Sequence, residues 1–247
     1  KLTPLKTRKI SVNSSTIYEI LDEYLPPPRE GSILAVTSKI ISLCEGRAVR
    51  IGEIDKEALI KKEADYYLPR RLSKYRIIFA VKNNILVSSA GIDESNTGGY
   101  YVLWPKNPQR SANEIRKYLC RRFRLKRVGV IITDSRTMPL RKGTLGVALA
   151  HSGFLALNSY IGEPDVFGRK LKMTKASVID ALAAAAVLVM GEGKEQTPLA
   201  VMEHLPFVKF QNRNPSPSEL SELKINLKDD LYAPMLKAVK WRKGKTK

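Results

Sequence analysis

Apolar residues recur at two different periods along this chain, and the switches between them mark its elements. After Gly31, Ile33-Leu34-Ala35-Val36 is a short unbroken apolar run, which predicts a buried strand, and Lys39–Glu45 reads as its continuation. Ile77–Val81 and Ile85–Ser88 flank Lys82-Asn83-Asn84; paired asparagines tolerate the positive φ of a tight turn, so a hairpin is expected. A further strand is predicted over 128–133. Helical spacing appears in Ile10–Leu25, which Pro26-Pro27-Pro28 must end, and in Ile54–Leu72, which Pro69 interrupts. Residues 112–124 follow Ser111 and Glu114, the spacing of a capping box, and place Ile115, Leu119 and Phe123 on one face. A helix over Lys175–Met190 ends at Gly191, a residue suited to a left-handed cap, and its run Ala183–Ala186 is small enough to let another element approach closely. Asn212–Pro217 has the composition of a linker, followed by a helical tail over Leu220–Val239 and a Lys-rich, frayed terminus. This alternation predicts an α+β protein with its main body over residues 1–210, and a linker, short helix and basic tail over 211–247.

The apolar fraction, 43% of 247 residues, suffices for a sizeable core. No apolar run reaches bilayer length and the lysine-bearing N-terminus lacks the apolar region of a secretory signal, so a cytoplasmic location and no membrane partner are expected. Cys44 and Cys120 stand far apart with no Cys-x-x-Cys spacing, which predicts reduced, buried thiols. With only His151 and His204, chemistry built on histidine clusters is hard to assemble. The net charge of +19 changes the picture most, because such an excess opposes compaction and attracts polyanions. Trp104–Gly143 holds twelve Lys or Arg against two acids, and the chain from Lys209 onward holds ten against four. The basic faces of the 112–124 helix suit either a solvated surface or an anion. Nucleic acid is possible but not favoured, since no helix-turn-helix, zinc-finger, RRM-type or KH-type signature accompanies the charge.

Candidate chemistry lies at three acidic sites, each just beyond a predicted element. Ala90-Gly91-Ile92-Asp93-Glu94-Ser95-Asn96 follows the hairpin, Asp134-Ser135 follows the strand over 128–133, and Glu192 follows the helix ending at Met190. A rigid scaffold commonly presents catalytic groups at such positions. Carboxylate, hydroxyl and amide oxygens suit a hard cation, Mg²⁺ or Mn²⁺, which takes one or two carboxylates when phosphates supply the remaining ligands. Each stretch alone also has the composition of a solvated turn.

Together these stretches resemble motifs of the coenzyme F420-0:γ-glutamyl ligase family. The resemblance is carried by Ala90–Asn96, Gly129-Val130-Ile131-Ile132-Thr133-Asp134-Ser135, Gly162–Arg169 and Leu188-Val189-Met190-Gly191-Glu192-Gly193, with Cys44-Glu45-Gly46-Arg47 as a further anchor, collinear from about Gly31 to Leu205. It implies an α+β fold, an intertwined homodimer, and GTP-driven joining of L-glutamate to the carboxyl group of F420-0 with divalent metal. It also implies that Asp93, Asp134, Ser135 and Glu192 form the metal site. Ser38, Lys39, Asn96 and the segment from Met190 through Gly191 and Gly193 to Thr197 would contact the nucleotide.

Such a reaction needs the carboxylate converted to an acyl phosphate, so catalysis rests on positioning and on neutralising phosphate charge. Arg141 and Lys142, shortly beyond Asp134, are candidates to clamp the transferred group; a basic loop in water is the alternative. Asp165 and Arg169 read as a local ion pair or turn cap. The chain departs from the family pattern at Leu43, where lysine is usual, at Ala181, and in Pro4–Ile10, which lacks the usual nucleotide-touching loop. A different class of reading is a non-catalytic relative that binds RNA or a nucleotide through its basic surface.

Overall fold

The computed structural model describes residues 1–245. In chain order it comprises β1 (Leu2–Leu5), α1 (Ile17–Tyr24), β2 (Ser32–Thr37), α2 (Ser38–Cys44), β3 (Ala48–Arg50), α3 (Lys56–Glu63), β4 (Tyr66–Tyr67), β5 (Phe79–Lys82), β6 (Ile85–Ser88), β7 (Tyr100–Val102) and α4 (Pro108–Phe123). There follow β8 (Val128–Thr137), β9 (Thr144–Ser152), β10 (Leu157–Ser159), β11 (Lys175–Ser177), α5 (Val178–Met190), β12 (Leu199–Met202), α6 (Pro217–Glu222), α7 (Ala233–Lys237) and β13 (Arg242–Lys243).

A five-stranded sheet in the order β1-β12-β2-β8-β9 forms the centre, with β2 and β8 parallel and the other neighbours antiparallel. Helices cover both faces, which is why β2 is apolar without alternation. Leu34, Val36, Val130 and Ile132 point to one side and pack with Ile20, Leu21, Ile41, Ile115 and Leu119 of α1, α2 and α4. Ile33, Ala35 and Ile131 point to the other side and pack with Ile179, Leu182, Ala183 and Ala186 of α5. The small α5 residues do permit close approach, because a Cβ added to Gly146 of β9 would run into the backbone of Ala183. The connection from β2 to β8 supplies β4, β5 and β6 of a second sheet, which β13 from the C-terminal end completes in the order β13-β4-β5-β6; it packs on α3 around Leu59, Ile60, Ile78 and Ala80. The mixed α and β content agrees with the expectation from sequence.

Several boundaries differ. Lys39–Glu45 is not strand: the Thr37 hydroxyl accepts from the Ile40 N–H at 3.4 Å and turns the chain into α2. Ser111 does not cap a helix, since α4 starts a turn earlier, where Asn107 accepts from Arg110 N at 2.9 Å and Pro108 occupies the first turn. Lys175–Ser177 pairs with β10 as strand, so α5 begins only at Val178, capped by Ser177. Gly191 has φ +79° and ψ 169°, a conformation that favours glycine yet is not the left-handed helical cap. The helix expected over Ile54–Leu72 shrinks to α3, and the one over Ile10–Leu25 starts at Ile17 with a Thr16–Glu19 capping box. The Leu220–Val239 tail is two short helices, and Arg242–Lys243 add to β4 as an edge strand. Of the frayed terminus, Thr246 and Lys247 lie outside the described residues. The hairpin of β5 and β6 matches its reading: Asn83 and Asn84 turn at φ +51° and +65°. Cys44 and Cys120 are free but only half-buried, and burial pushes the Cys44 thiol up to about 11. Among the described residues no helix is long and apolar enough to cross a membrane.

Part of the basic charge has internal partners. Arg110 pairs with Glu114 and Arg122 with Asp22. The buried Arg116 donates to the carbonyls of Val128 and Gln211.

Candidate active site

The sheet order brings the acidic motifs to one end of β2 and β8. At the end of β2 the chain enters α2, whose first residues are the buried Ser38 and then Lys39. Lys39 Nζ lies 2.6 Å from Asp93 Oδ2 and donates to the Ser95 carbonyl at 3.0 Å. Asp93 reaches this point because its backbone exchanges hydrogen bonds with Val102, extending the pairing of β7. Its other carboxylate oxygen accepts from Ser95 N at 2.7 Å and Ser95 Oγ at 2.8 Å. Just upstream, Ser89, Ala90 and Gly91 all have positive φ, 52°, 51° and 73°. Two successive non-glycine residues in that region store strain, which persists only where the surroundings over-determine it.

Asp134 and Ser135 lie inside β8 rather than beyond its end: past a register shift between Ile132 and Thr133 the strand keeps its pairing with β9 as far as Thr137. Ser135 Oγ donates to Glu192 Oε1 at 2.6 Å, drawing the loop after α5 against the strand. Asn96 Nδ2 donates to the Gly193 carbonyl at 2.9 Å, so the same loop also meets the Asp93 segment. Within it, Thr197 Oγ1 donates to the Met190 carbonyl and Gly193 N donates to Glu195 at 2.8 Å. The segments holding Ser38–Lys39, Asp93–Asn96, Asp134–Ser135 and Met190–Thr197 therefore form one neighbourhood.

Arg141 and Lys142 are elsewhere. They occupy the exposed tip of the β8–β9 hairpin, and three residues of strand, about 10 Å, separate Asp134 from Thr137 before the tip begins. Asp165 is a turn cap, its Oδ1 accepting from the backbone N–H groups of Phe167 and Arg169 at 2.9 and 2.8 Å.

One important contact had no sequence reading. Trp104, buried after β7, donates its indole N–H to Asp134 Oδ2. A tryptophan following the apolar Val102-Leu103 was a signal for a buried ring, but nothing in the sequence names its partner.

The electrostatics of the two aspartates diverge. Burial pushes the Asp134 carboxyl up to about 6; hydrogen bonds from Ser135 N–H and Trp104 oppose this, the negative charge of Asp93 adds to it, and Lys39 offsets part. Burial acts on Asp93 in the same direction, but the Lys39 ammonium and the Ser95 donors outweigh it and hold that carboxyl below the usual range. Among the described residues no three His, Cys, Asp or Glu side chains gather into an all-protein metal cage. The donor chemistry fits a different arrangement, in which one or two carboxylates and a hydroxyl hold a hard cation whose other ligands are phosphate oxygens. Asp93 and Asp134 feel one another's charge, and Asp93 already holds a cation, the Lys39 ammonium, against it.

The sequence profile of the family described as F420-0:Gamma-glutamyl ligase matches residues 5–204. Among curated relatives, the coenzyme F420:L-glutamate ligase of Methanocaldococcus jannaschii is 34% identical over 218 residues, 79% of this chain and 84% of the relative. That of Methanococcus maripaludis strain S2 is 43% identical over 214 residues, covering 80% and 84%. The Archaeoglobus fulgidus protein of the same name is 36% identical over 192 residues, covering 71% and 76%.

Proposed function

From the premise that this chain belongs to the F420-0:γ-glutamyl ligase family, we propose that it joins L-glutamate by an amide bond to the carboxyl group of F420-0 or a similar anionic acceptor. GTP is the co-substrate and Mg²⁺ or Mn²⁺ the metal. The observation that carries this reading is the meeting of three sequence-distant motifs through Lys39–Asp93, Asn96–Gly193 and Ser135–Glu192.

An acceptor carboxylate oxygen attacks the terminal phosphorus of GTP, releasing GDP and giving an acyl phosphate; the glutamate amine then attacks the acyl carbon, inorganic phosphate leaves, and the amine loses a proton. The protein's task is to hold these anionic partners in line and to keep their charges from repelling. Of the four expected ligands, Asp93, Asp134 and the Ser135 hydroxyl would hold the cation, which neutralises phosphate charge when bound, and Glu192 would orient that hydroxyl. Lys39, the residue after Ser38 at the start of α2, places an ammonium beside Asp93, where phosphate oxygens are also to be expected. Asn96 joins two loops and so keeps the Met190–Thr197 segment, with Gly191 and Gly193, beside the nucleotide. Backbone flanked by glycine can approach phosphate closely.

The reading includes a homodimer. Leu140, Val166, Phe167 and Leu188 are large apolar residues standing almost fully in solvent, the kind of exposure that marks an interface. Two of them, Val166 and Phe167, lie in the Gly162–Arg169 motif. A dimer also gives Arg141 and Lys142 a route to a phosphate group that their own hairpin carries them away from.

The test is turnover. Purified protein is titrated with GTP and with ATP, with and without Mn²⁺, then given glutamate and F420-0, and the product is weighed by mass spectrometry. A gain of one glutamyl unit that is absent in Asp134→Asn is expected; metal-independent nucleotide binding with no product overturns the reading.

A further inference from the structure

Trp104 makes four separate connections in the site's floor. Its indole N–H reaches Asp134 Oδ2. Its ring edge lies so close under Gly91 that a Cβ there would overlap Nε1 and Cε2. The Lys82 ammonium sits over the ring, 5.3 Å from its centroid, and the Trp104 carbonyl accepts from Arg47 Nε at 3.2 Å. Lys82 and Arg47 both pair with Glu63, at 2.7 and 2.8 Å, so a partly buried ion-pair network grips the ring and its backbone from behind. Only 1% of Trp104 is exposed.

We propose that Trp104 is a positioning residue for the aspartate pair: its N–H orients the Asp134 carboxylate, and its ring edge holds the left-handed turn through Gly91 from which Asp93 projects. This rests on the ligase reading above, in which both carboxylates serve the cation. Indole suits the task because it is a donor only: it neither ionises near neutral pH nor ligates metal. A donor fixed on Asp134 Oδ2 restricts the carboxylate's rotation and so sets the direction in which it presents its remaining lone pairs. The strained Ser89-Ala90-Gly91 turn requires something rigid to hold it, and the indole, its edge against Gly91 and its face under Lys82, provides that. Partners of this kind behind metal ligands commonly matter for affinity about 10- to 100-fold.

Two measurements test the proposal. In metal-free protein labelled with ¹⁵N, the Trp104 indole resonance, told apart from Trp241 by a Trp241→Phe variant, should lie downfield and move upfield in Asp134→Asn as a charged acceptor becomes neutral. Manganese binding is then read by the electron paramagnetic resonance of free Mn²⁺. Trp104→Phe, which keeps an aromatic ring over Gly91 but removes the donor, should weaken Mn²⁺ binding by about tenfold. An equal Mn²⁺ affinity in folded Trp104→Phe overturns the proposal, as does an indole resonance indifferent to Asp134; where Trp104→Phe does not fold, the resonance decides alone. A wild-type protein that binds no Mn²⁺ but whose indole resonance follows Asp134 sinks the ligase reading and upholds the positioning of the carboxylate.

Discussion

Acid should destabilise this protein through one histidine. His151 is 1% exposed in β9, its ring packs edge-on against Phe154 at 5.2 Å, and its Nδ1 has no hydrogen-bond partner among the described residues. Burial pushes its pKa down to about 4, although the nearby charge of Glu219 and a backbone hydrogen bond at Phe154 pull the other way. In the unfolded chain the ring titrates near 6.5. Between those two values the unfolded state binds a proton that the native state refuses, so stability is complete above about pH 6.5 and falls as pH drops toward 4. At 1.36 kcal/mol per unit, the full cost is about 3 kcal/mol, of which about 2 kcal/mol is already lost at pH 5. The assay is urea unfolding followed by circular dichroism at pH 7.5 and pH 5, for wild type and for His151→Leu. Carboxylates titrate alike in both proteins, so the difference between their pH dependences isolates the histidine. The wild type should lose about 2 kcal/mol more than the variant between the two pH values. Equal losses would refute the reasoning, because the buried ring would then be accepting its proton without unfolding.

Glu63→Gln should cost about 3 kcal/mol in the same assay, since it leaves the buried ammonium of Lys82 without its carboxylate and takes the same partner from the half-buried guanidinium of Arg47. Lys82→Met should cost less, because Glu63 keeps Arg47; the reverse order would show that the network is not as drawn. Gly146→Ala should lower stability by about 1–3 kcal/mol by forcing α5 off β9, and an unchanged melting temperature would mean that this contact is not tight. Added EDTA should abolish GTP binding, whereas any RNA retained by the basic surface should survive chelation and dissociate as salt rises; GTP binding indifferent to EDTA would count against the metal-bound nucleotide.

What the sequence determined by itself was mostly local. The asparagine turn of β5–β6, the buried strand β2, the close approach allowed by the alanines of α5 and the turn at Asp165 are each settled within a few residues, by backbone preference or by size. The order of the motifs likewise placed the chain in its family without any coordinates. Short apolar runs were less legible. Ile40, Ile41 and Leu43 fit a strand or a helix equally well, and the choice fell to the Thr37 cap and to packing against α1 and β2. Ser111 and Glu114 had the right spacing for a cap, yet Asn107 with Pro108 four residues earlier competed better for the helix start.

The site itself was decided only by tertiary structure. Its residues could be nominated singly, but Lys39 meets Asp93 across 54 positions of chain, Ser135 meets Glu192 across 57, and Trp104 meets Asp134 across 30. Such contacts exist because β2 and β8 lie side by side and helices close both faces of the sheet, a global solution to burying apolar surface that no local pattern encodes. The charges follow the same logic. A carboxylate's identity is written in the sequence, but Asp93 and Asp134 are shifted in opposite directions from their ordinary values because one is given an ammonium and the other is enclosed near a second negative charge. That difference depends on distance and dielectric, and both come into being only when the chain folds.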